Sequence, residues 1–205
     1  MENIIRLTKD QVTPAEMAVA RGFQDYPLFV RVFPDASERE RKSLPNFFEF
    51  LFKYGALYGE VYATPNFEGA ALWLLPDKVH ITFLGMMRVR GFQFPFKVGL
   101  KNLSRLMKCD KFTTETHDRL VKSPHWYLFF LGVDTIHQGK GIGSSLLRPM
   151  LTRIENEGLP IYLETQDEKT VPLYEHLGFK VIEKAIITSL DVTSWAMLRE
   201  PCKEP

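Results

Sequence analysis

Apolar and polar positions along this chain fall into two periods, and the switch between them marks out its elements. Ile4 to Leu7 reads as a short first strand. Thr13-Pro14-Ala15-Glu16 has the form of a capping box with proline at the first helical position, and the helical pattern runs to about Phe23. Gln24-Asp25-Tyr26-Pro27 breaks it. Ser37-Glu38-Arg39-Glu40 is a second capping box, opening a helical region that Pro45 is expected to kink or restart. Beyond it, Phe47, Phe48, Leu51 and Phe52 recur at helical spacing, a stripe of the kind that more often forms core than a binding site. Glu60 to Thr64 and Gly69 to Leu75 then read as a hairpin around Pro65-Asn66-Phe67-Glu68.

The next stretch, Pro76 to Ser123, is longer than a simple connection. It carries Phe83, Met86, Met87, Phe92, Phe94, Phe96, Leu100, Leu103, Leu106 and Met107, interleaved with Arg88, Arg90, Lys97, Lys101, Arg105 and Lys108. We read it as a helical insertion at about 80–122 that packs on the sheet with its charges in water, rather than as a basic amphipathic helix for membrane or nucleic acid. His125 to Val133 reads as a buried strand, followed by the turn Asp134-Thr135-Ile136-His137 and the loop Gln138-Gly139-Lys140-Gly141-Ile142-Gly143-Ser144 that enters a helix. Pro160 to Thr165 is another strand, and Thr170 to Leu177 a short helix closed by Gly178, with Phe179 starting a final strand. The order of elements is mixed α/β.

A glycine-rich loop opening a helix aims unpaired backbone N–H groups and the positive end of the helix dipole at one point, where phosphates bind. Two common phosphate loops are excluded by spacing. A dinucleotide fingerprint started at Gly139 would need a third glycine at Ser144, and started at Gly141 it would need one at Leu146. A P-loop would need Ser or Thr where Gly141 stands. Glu164 does fall where a ribose-binding acid could sit, but too little chain follows it for the rest of a doubly wound sheet.

What remains is Gln138-x-x-Gly141-x-Gly143, which resembles the signature of the GNAT superfamily of N-acetyltransferases. A second segment, Leu173-Tyr174-Glu175 closed by Leu177-Gly178-Phe179, resembles that family's downstream motif, in the right order and with a strand between the two. Within the superfamily the chain looks most like the puromycin N-acetyltransferase group, through Pro124-His125-Trp126-Tyr127-Leu128, His137-Gln138-Gly139-Lys140-Gly141, Leu163-Glu164-Thr165, Val171-Pro172-Leu173-Tyr174 and Trp195-Ala196-Met197. Thr170 departs from the asparagine usual there. The resemblance implies a mostly antiparallel mixed sheet flanked by helices, with two strands splayed at an acetyl-CoA site. It implies acetyl-CoA as donor, with Gln138, Gly139, Lys140, Gly141, Ile142, Gly143 and Ser144 around the pyrophosphate and backbone groups of Leu131 and Val133 along the pantetheine arm.

It implies chemistry too. An amine attacks the thioester directly, so an ammonium must lose its proton, an oxyanion must meet a donor, and a thiolate must gain a proton. Tyr174 is the implied acid, with packing as its other reading. Glu164, at the end of its strand, reads either as the base or as a salt-bridged or capping carboxylate. The Val133 N–H is the implied oxyanion donor. Tyr26 reads either as an acceptor contact or as an ordinary turn residue before Pro27. His125 ranks below Glu164 as a base, and His137 and His176 are expected at the surface. No cluster has metal-ligand spacing.

Composition narrows the classes further. At 205 residues we expect one domain over 1–205, and 26 basic against 25 acidic residues give +1, with no bulk pull toward nucleic acid or membrane. Cys109 and Cys202 are too few for a disulfide framework, and the segment from Met1 lacks a signal-peptide pattern, so the cytoplasm is expected. The expected partner is a small-molecule amine. The competing readings are a protein lysine or N-terminal acetyltransferase and a non-catalytic acyl-CoA-binding module. Oligomeric state is not readable.

Overall fold

The computed structural model describes residues 4–8, 11, 13–89 and 91–201, with Thr13 described in its backbone alone. Its strands are β1 (Ile5–Arg6), β2 (Gly59–Ala63), β3 (Gly69–Leu74), β4 (Trp126–Val133), β5 (Ile161–Thr165), β6 (Lys180–Ile187) and β7 (Val192–Arg199). They form a sheet in the order β1-β2-β3-β4-β5-β7-β6. Every neighbouring pair is antiparallel except β4 with β5. The helices are α1 (Thr13–Gly22), α2 (Pro27–Val32), α3 (Ala36–Glu38), α4 (Leu44–Tyr58), α5 (Phe83–Arg88), α6 (Phe94–Val98), α7 (Leu100–Leu120), α8 (Ile142–Glu157) and α9 (Val171–His176). This is the mixed, mostly antiparallel sheet flanked by helices that the sequence implied.

Side-chain alternation along the strands divides the core in two. Tyr127, Phe130 and Tyr162 face a layer built from α1, α2, α4 and α7, where Val19, Phe29, Phe48, Phe52 and Cys109 are buried. Trp126, Leu128, Ile161 and Leu163 face α8 and α9, with Leu147, Met150, Ile154 and Tyr174. The aromatic stripe of α4 is core, as its spacing indicated. An irregularity opposite Leu72 and Trp73 breaks the alternation in β4, so that Phe129 and Phe130 turn to the same layer.

Several boundaries moved. The helix after the first turn is capped by Asp35, whose carboxylate accepts from the Glu38 N–H at 2.7 Å, and not by Ser37. A π-helical turn at Arg39–Ser43 follows, and α4 restarts at Leu44 with Pro45 in its first turn. The capping box expected of Thr13 and Glu16 rests on a Thr13 side chain outside the described residues. Glu16 is buried, with Oε2 lacking a hydrogen-bond partner among the described residues, and its carboxyl is pushed up to about 7 by burial and then by Glu49. The C-terminal part supplies two strands where one was expected. β7 inserts between β5 and β6: β6 carries Lys180, Glu183 and Lys184 and lies at the exposed edge, whereas β7 has Arg199 as its one charged residue and is mostly buried.

The segment between β3 and β4 is helical, and α7 lays Cys109, Thr116 and His117 against the sheet. Not all of its apolar residues are buried. Phe96 is 86% exposed, Leu100 77% and Leu84 75%. Expectations about Met1 to Asn3, Arg90 and Cys202, and about the Thr13 hydroxyl, lie outside the described residues.

Candidate active site

β4 and β5 run parallel and pair only through Trp126, Tyr127 and Leu128, opposite Ile161, Tyr162 and Leu163. Past Leu128 the two strands part, and the β5-facing edge of β4 has no strand beside it. Which amides line that gap follows from the irregularity in β4. The Asp134 N–H donates to the Glu68 carbonyl on the β3 side at 2.8 Å. Alternation from there turns the N–H groups of Val133 and Leu131 to the open edge. An unbroken strand continuing from Trp126, whose N–H donates to Pro160, would have turned Phe130 and Gly132 there instead.

The loop that follows completes the concavity. Gly139 and Gly141 have φ of +75° and +80°, and a Cβ at either would meet no atom within 4 Å. Glycine is therefore needed there for backbone handedness and not for space. Gly143 has ordinary helical geometry, so the second glycine of the signature answers no conformational demand. α8 begins at Ile142 with no side chain capping it, and its first internal bond runs from Ser145 N–H to the Gly141 carbonyl. The N–H groups of Ile142, Gly143 and Ser144 thus face outward beside the open edge of β4. An extended group ending in phosphates fits this arrangement of uncapped donors.

Two side chains of the loop do other work. Gln138 Nε2 donates to the Val133 carbonyl at 3.0 Å, tying loop to strand, and Lys140 Nζ donates to the Ile136 carbonyl at 3.0 Å. Asp134 is buried, N-caps the short turn Thr135–His137 and meets Arg21 of α1 at 2.6 Å. Sequence reading passed over both anchoring residues.

Where β5 ends, four aromatic hydroxyls gather. Glu164 is half-buried; its Oε1 accepts from Tyr162 at 2.7 Å and its Oε2 from Tyr127 at 3.3 Å. Burial pushes its carboxyl up to about 7, against the pull of the two phenols and with a push from Asp110. This carboxylate is held by hydrogen bonds and makes no salt bridge among the described residues. Tyr26 reaches across from the turn between α1 and α2. Its hydroxyl accepts from the Gln166 N–H at 2.7 Å and bonds Thr165 Oγ1 at 3.1 Å, and burial pushes it up to about 12. The Tyr26 hydroxyl is thus already engaged with the end of β5. Tyr174 is buried on α9, and burial, then the nearby Tyr26 phenol, hold its proton more tightly than in water.

α7 covers this group from the other side. Burial, and after it the Glu164 charge, push the Cys109 thiol up to about 12, so Cys109 lies near Glu164 as a neutral thiol. The α9 helix ends in a Schellman arrangement, with Phe179 N–H donating to Tyr174 O and Gly178 N–H to Glu175 O, each at 3.0 Å. Thr170 keeps the preceding turn bonded despite the departure from asparagine, through Thr165 Oγ1 at 2.7 Å and the Asp167 carbonyl at 2.8 Å. Of the histidines, His176 is exposed, His137 half-buried and His125 buried. Among the described residues no group of three or more His, Cys, Asp or Glu could hold a metal ion.

A parted strand pair, a left-handed glycine loop and an uncapped helix start thus stand together on one edge of a mixed, mostly antiparallel sheet. The chain belongs to the acetyltransferase (GNAT) family, whose family model matches residues 61–179. It is accordingly an N-acetyltransferase, of a family that uses acetyl-CoA as donor. An uncharacterised N-acetyltransferase of Schizosaccharomyces pombe is 28% identical over 197 residues, covering 91% of this chain and 78% of that one. A Corynebacterium glutamicum structure described as histone acetyltransferase HPA2 and related acetyltransferase superposes with a TM-score of 0.64 at 23% identity, over 98% of this chain and 97% of that one. Arylalkylamine N-acetyltransferase 2 of Aedes aegypti does so with 0.65 at 12% identity, over 98% and 99%. Both structures speak to the fold alone.

Proposed function

We propose that this chain acetylates the amine of a small molecule, taking the acetyl group from acetyl-CoA, with Glu164 as base and Tyr174 as acid. Bound in the gap beside β4, acetyl-CoA would supply a thioester carbonyl for an amine to attack. The observation that carries the reading is Glu164: a half-buried carboxyl pushed to about 7, at the end of a strand, facing the layer that α7 covers. A base with that affinity is half ionised at neutral pH and can take a proton from an ammonium directly or through water. Tyr174 keeps its proton at neutral pH, the state an acid requires. The N–H groups of Leu131, Val133, Ile142, Gly143 and Ser144 would hold the pantetheine and phosphate parts, with Val133 donating to the developing oxyanion.

The small-molecule reading rests on α7. Cys109 of α7 is buried on the same side of the sheet and Asp110 is near enough to raise the Glu164 carboxyl, and a helix in that position would narrow the groove that a peptide substrate needs. The puromycin-type resemblance places an aminonucleoside within the amine panel, and the same reading takes 1–205 as one domain with an insertion at about 80–122, acting in the cytoplasm. In the described residues, no helix is long and apolar enough to cross a membrane.

The test is calorimetric titration with acetyl-CoA, then thiol release across arylalkylamines, polyamines, aminonucleosides and peptides with free N-termini or lysines. Micromolar binding and turnover with a small amine support the reading. A kcat/KM higher for peptides would replace it with protein acetylation. Binding with no turnover on any amine would leave an acyl-CoA-binding module.

A further inference from the structure

Two buried imidazoles have no part in the reading above. His117 of α7 and His125, just before β4, hold their Nε2 atoms 2.5 Å apart. His125 Nδ1 lies 2.6 Å from the Ser123 carbonyl, so that nitrogen carries the hydrogen and donates. Its Nε2 is then the acceptor, and His117 Nε2–H the donor. In the neutral pair the bond needs these two tautomers, and it is lost only when both rings are protonated. Burial, then the neighbouring His125 and His80, push His117 down to about 4, and burial lowers His125 as well, so neutrality is the resting state.

The position of the pair gives it consequence. The His117 ring lies flat on Tyr162, with centroids 4.4 Å apart and planes at 4°, and tilts against Tyr127 at 4.8 Å. Tyr162 and Tyr127 are the two donors to Glu164, at 2.7 and 3.3 Å. One imidazole, itself fixed by a hydrogen bond, therefore sets both phenols that hold the carboxylate. Filling this space with a leucine would have been cheaper than burying two polar rings. The other ionisable groups near the pair are His80 and Asp118, with His80 Nε2 3.2 Å from Asp118 Oδ1, while Arg119 and Glu183, paired at 2.7 Å, act on Tyr162.

We propose that His117 and His125 are positioning residues: through Tyr162 and Tyr127 they fix the Glu164 carboxylate under α7. The proposal rests on Glu164 as the base. It is tested with His117→Phe, which keeps a flat ring over Tyr162 but cannot bond His125, and with His117→Gln, which restores a donor. Loosening the phenols removes hydrogen bonds that favour the ionised carboxylate, so the acidic limb of kcat/KM moves up by about 0.5 to 1 pH unit. We expect kcat to fall about 10-fold in His117→Phe, acetyl-CoA Kd to stay within about 2-fold, and His117→Gln to recover most of the loss. An unchanged limb and kcat in folded His117→Phe overturn the proposal while Glu164→Gln remains inactive. Full activity in Glu164→Gln overturns the base assignment and the positioning role with it. If His117→Phe does not fold, His125→Gln carries the same test, and the carboxyl titration of Glu164 followed by carbon NMR replaces turnover as readout.

Discussion

Glu164 shows how one residue serves two opposed demands. Its carboxyl is about 7 in the folded chain and near the ordinary carboxylate value when unfolded, so between those values the folded state binds the extra proton. Its contribution to stability is therefore greatest below the unfolded value and falls as pH rises through about 7, whereas the proposed base role requires activity to rise over the same range. We expect kcat/KM to climb through about pH 7, and Glu164→Gln to lose ~100-fold or more with the limb abolished, while gaining stability at pH 8. Activity profiles and urea unfolding at pH 6 and 8 check the pair of effects. Tyr174→Phe is expected to lower kcat by about 10- to 100-fold with acetyl-CoA Kd unchanged, read by thiol release beside calorimetry. Both residues were legible in the sequence, one as the last charged position of an apolar run and the other inside a motif. Their partners were not. Tyr127, Tyr162, His117 and Cys109 come from α7, β4 and β5, and nothing in their spacing announces that they meet.

At the scale of elements, the loop between β4 and α8 was the most readable part of the chain, because a backbone that must turn left-handed leaves glycines in fixed places. Gly141→Ala is expected to cost about 1 kcal/mol of stability for the forced φ of +80°, and to weaken acetyl-CoA at least 10-fold, since the amides of Ile142 to Ser144 would be re-aimed. Thermal unfolding and calorimetry measure the two separately. The irregularity in β4 was not readable. It depends on how β3 registers against β4 at Leu72 and Trp73, and only that register decides that Leu131 and Val133 present their amides to the gap. The helix start at Asp35 was misplaced for a simpler reason. The chain turns helical already at Ala36, so Asp35 reaches the Glu38 N–H as cap and Ser37 falls inside the first turn.

Across the whole molecule, burial separates residues that composition treats alike. Leu146 is wholly buried between sheet and α8, whereas Phe96 is 86% exposed on the insertion. Leu146→Ala is expected to cost about 2 to 5 kcal/mol, and Phe96→Ser to change stability by less than about 0.5 kcal/mol, as compared by denaturant midpoints at constant m. Hydropathy alone could not tell the two apart, since both sit in helical patterns with apolar neighbours. By itself the sequence determined the mixed α/β order, the glycine loop that opens α8, the acid and base candidates and the helical character of the segment between β3 and β4. All of these depend on local period, turn chemistry and motif spacing. Tertiary structure alone decided that β7 enters the middle of the sheet, that β4 and β5 part after Leu128, and that α7 sets His117 against His125 and flat on Tyr162. Those features arise where segments far apart in the chain compete to bury the same surface, and no local pattern records the outcome of that competition.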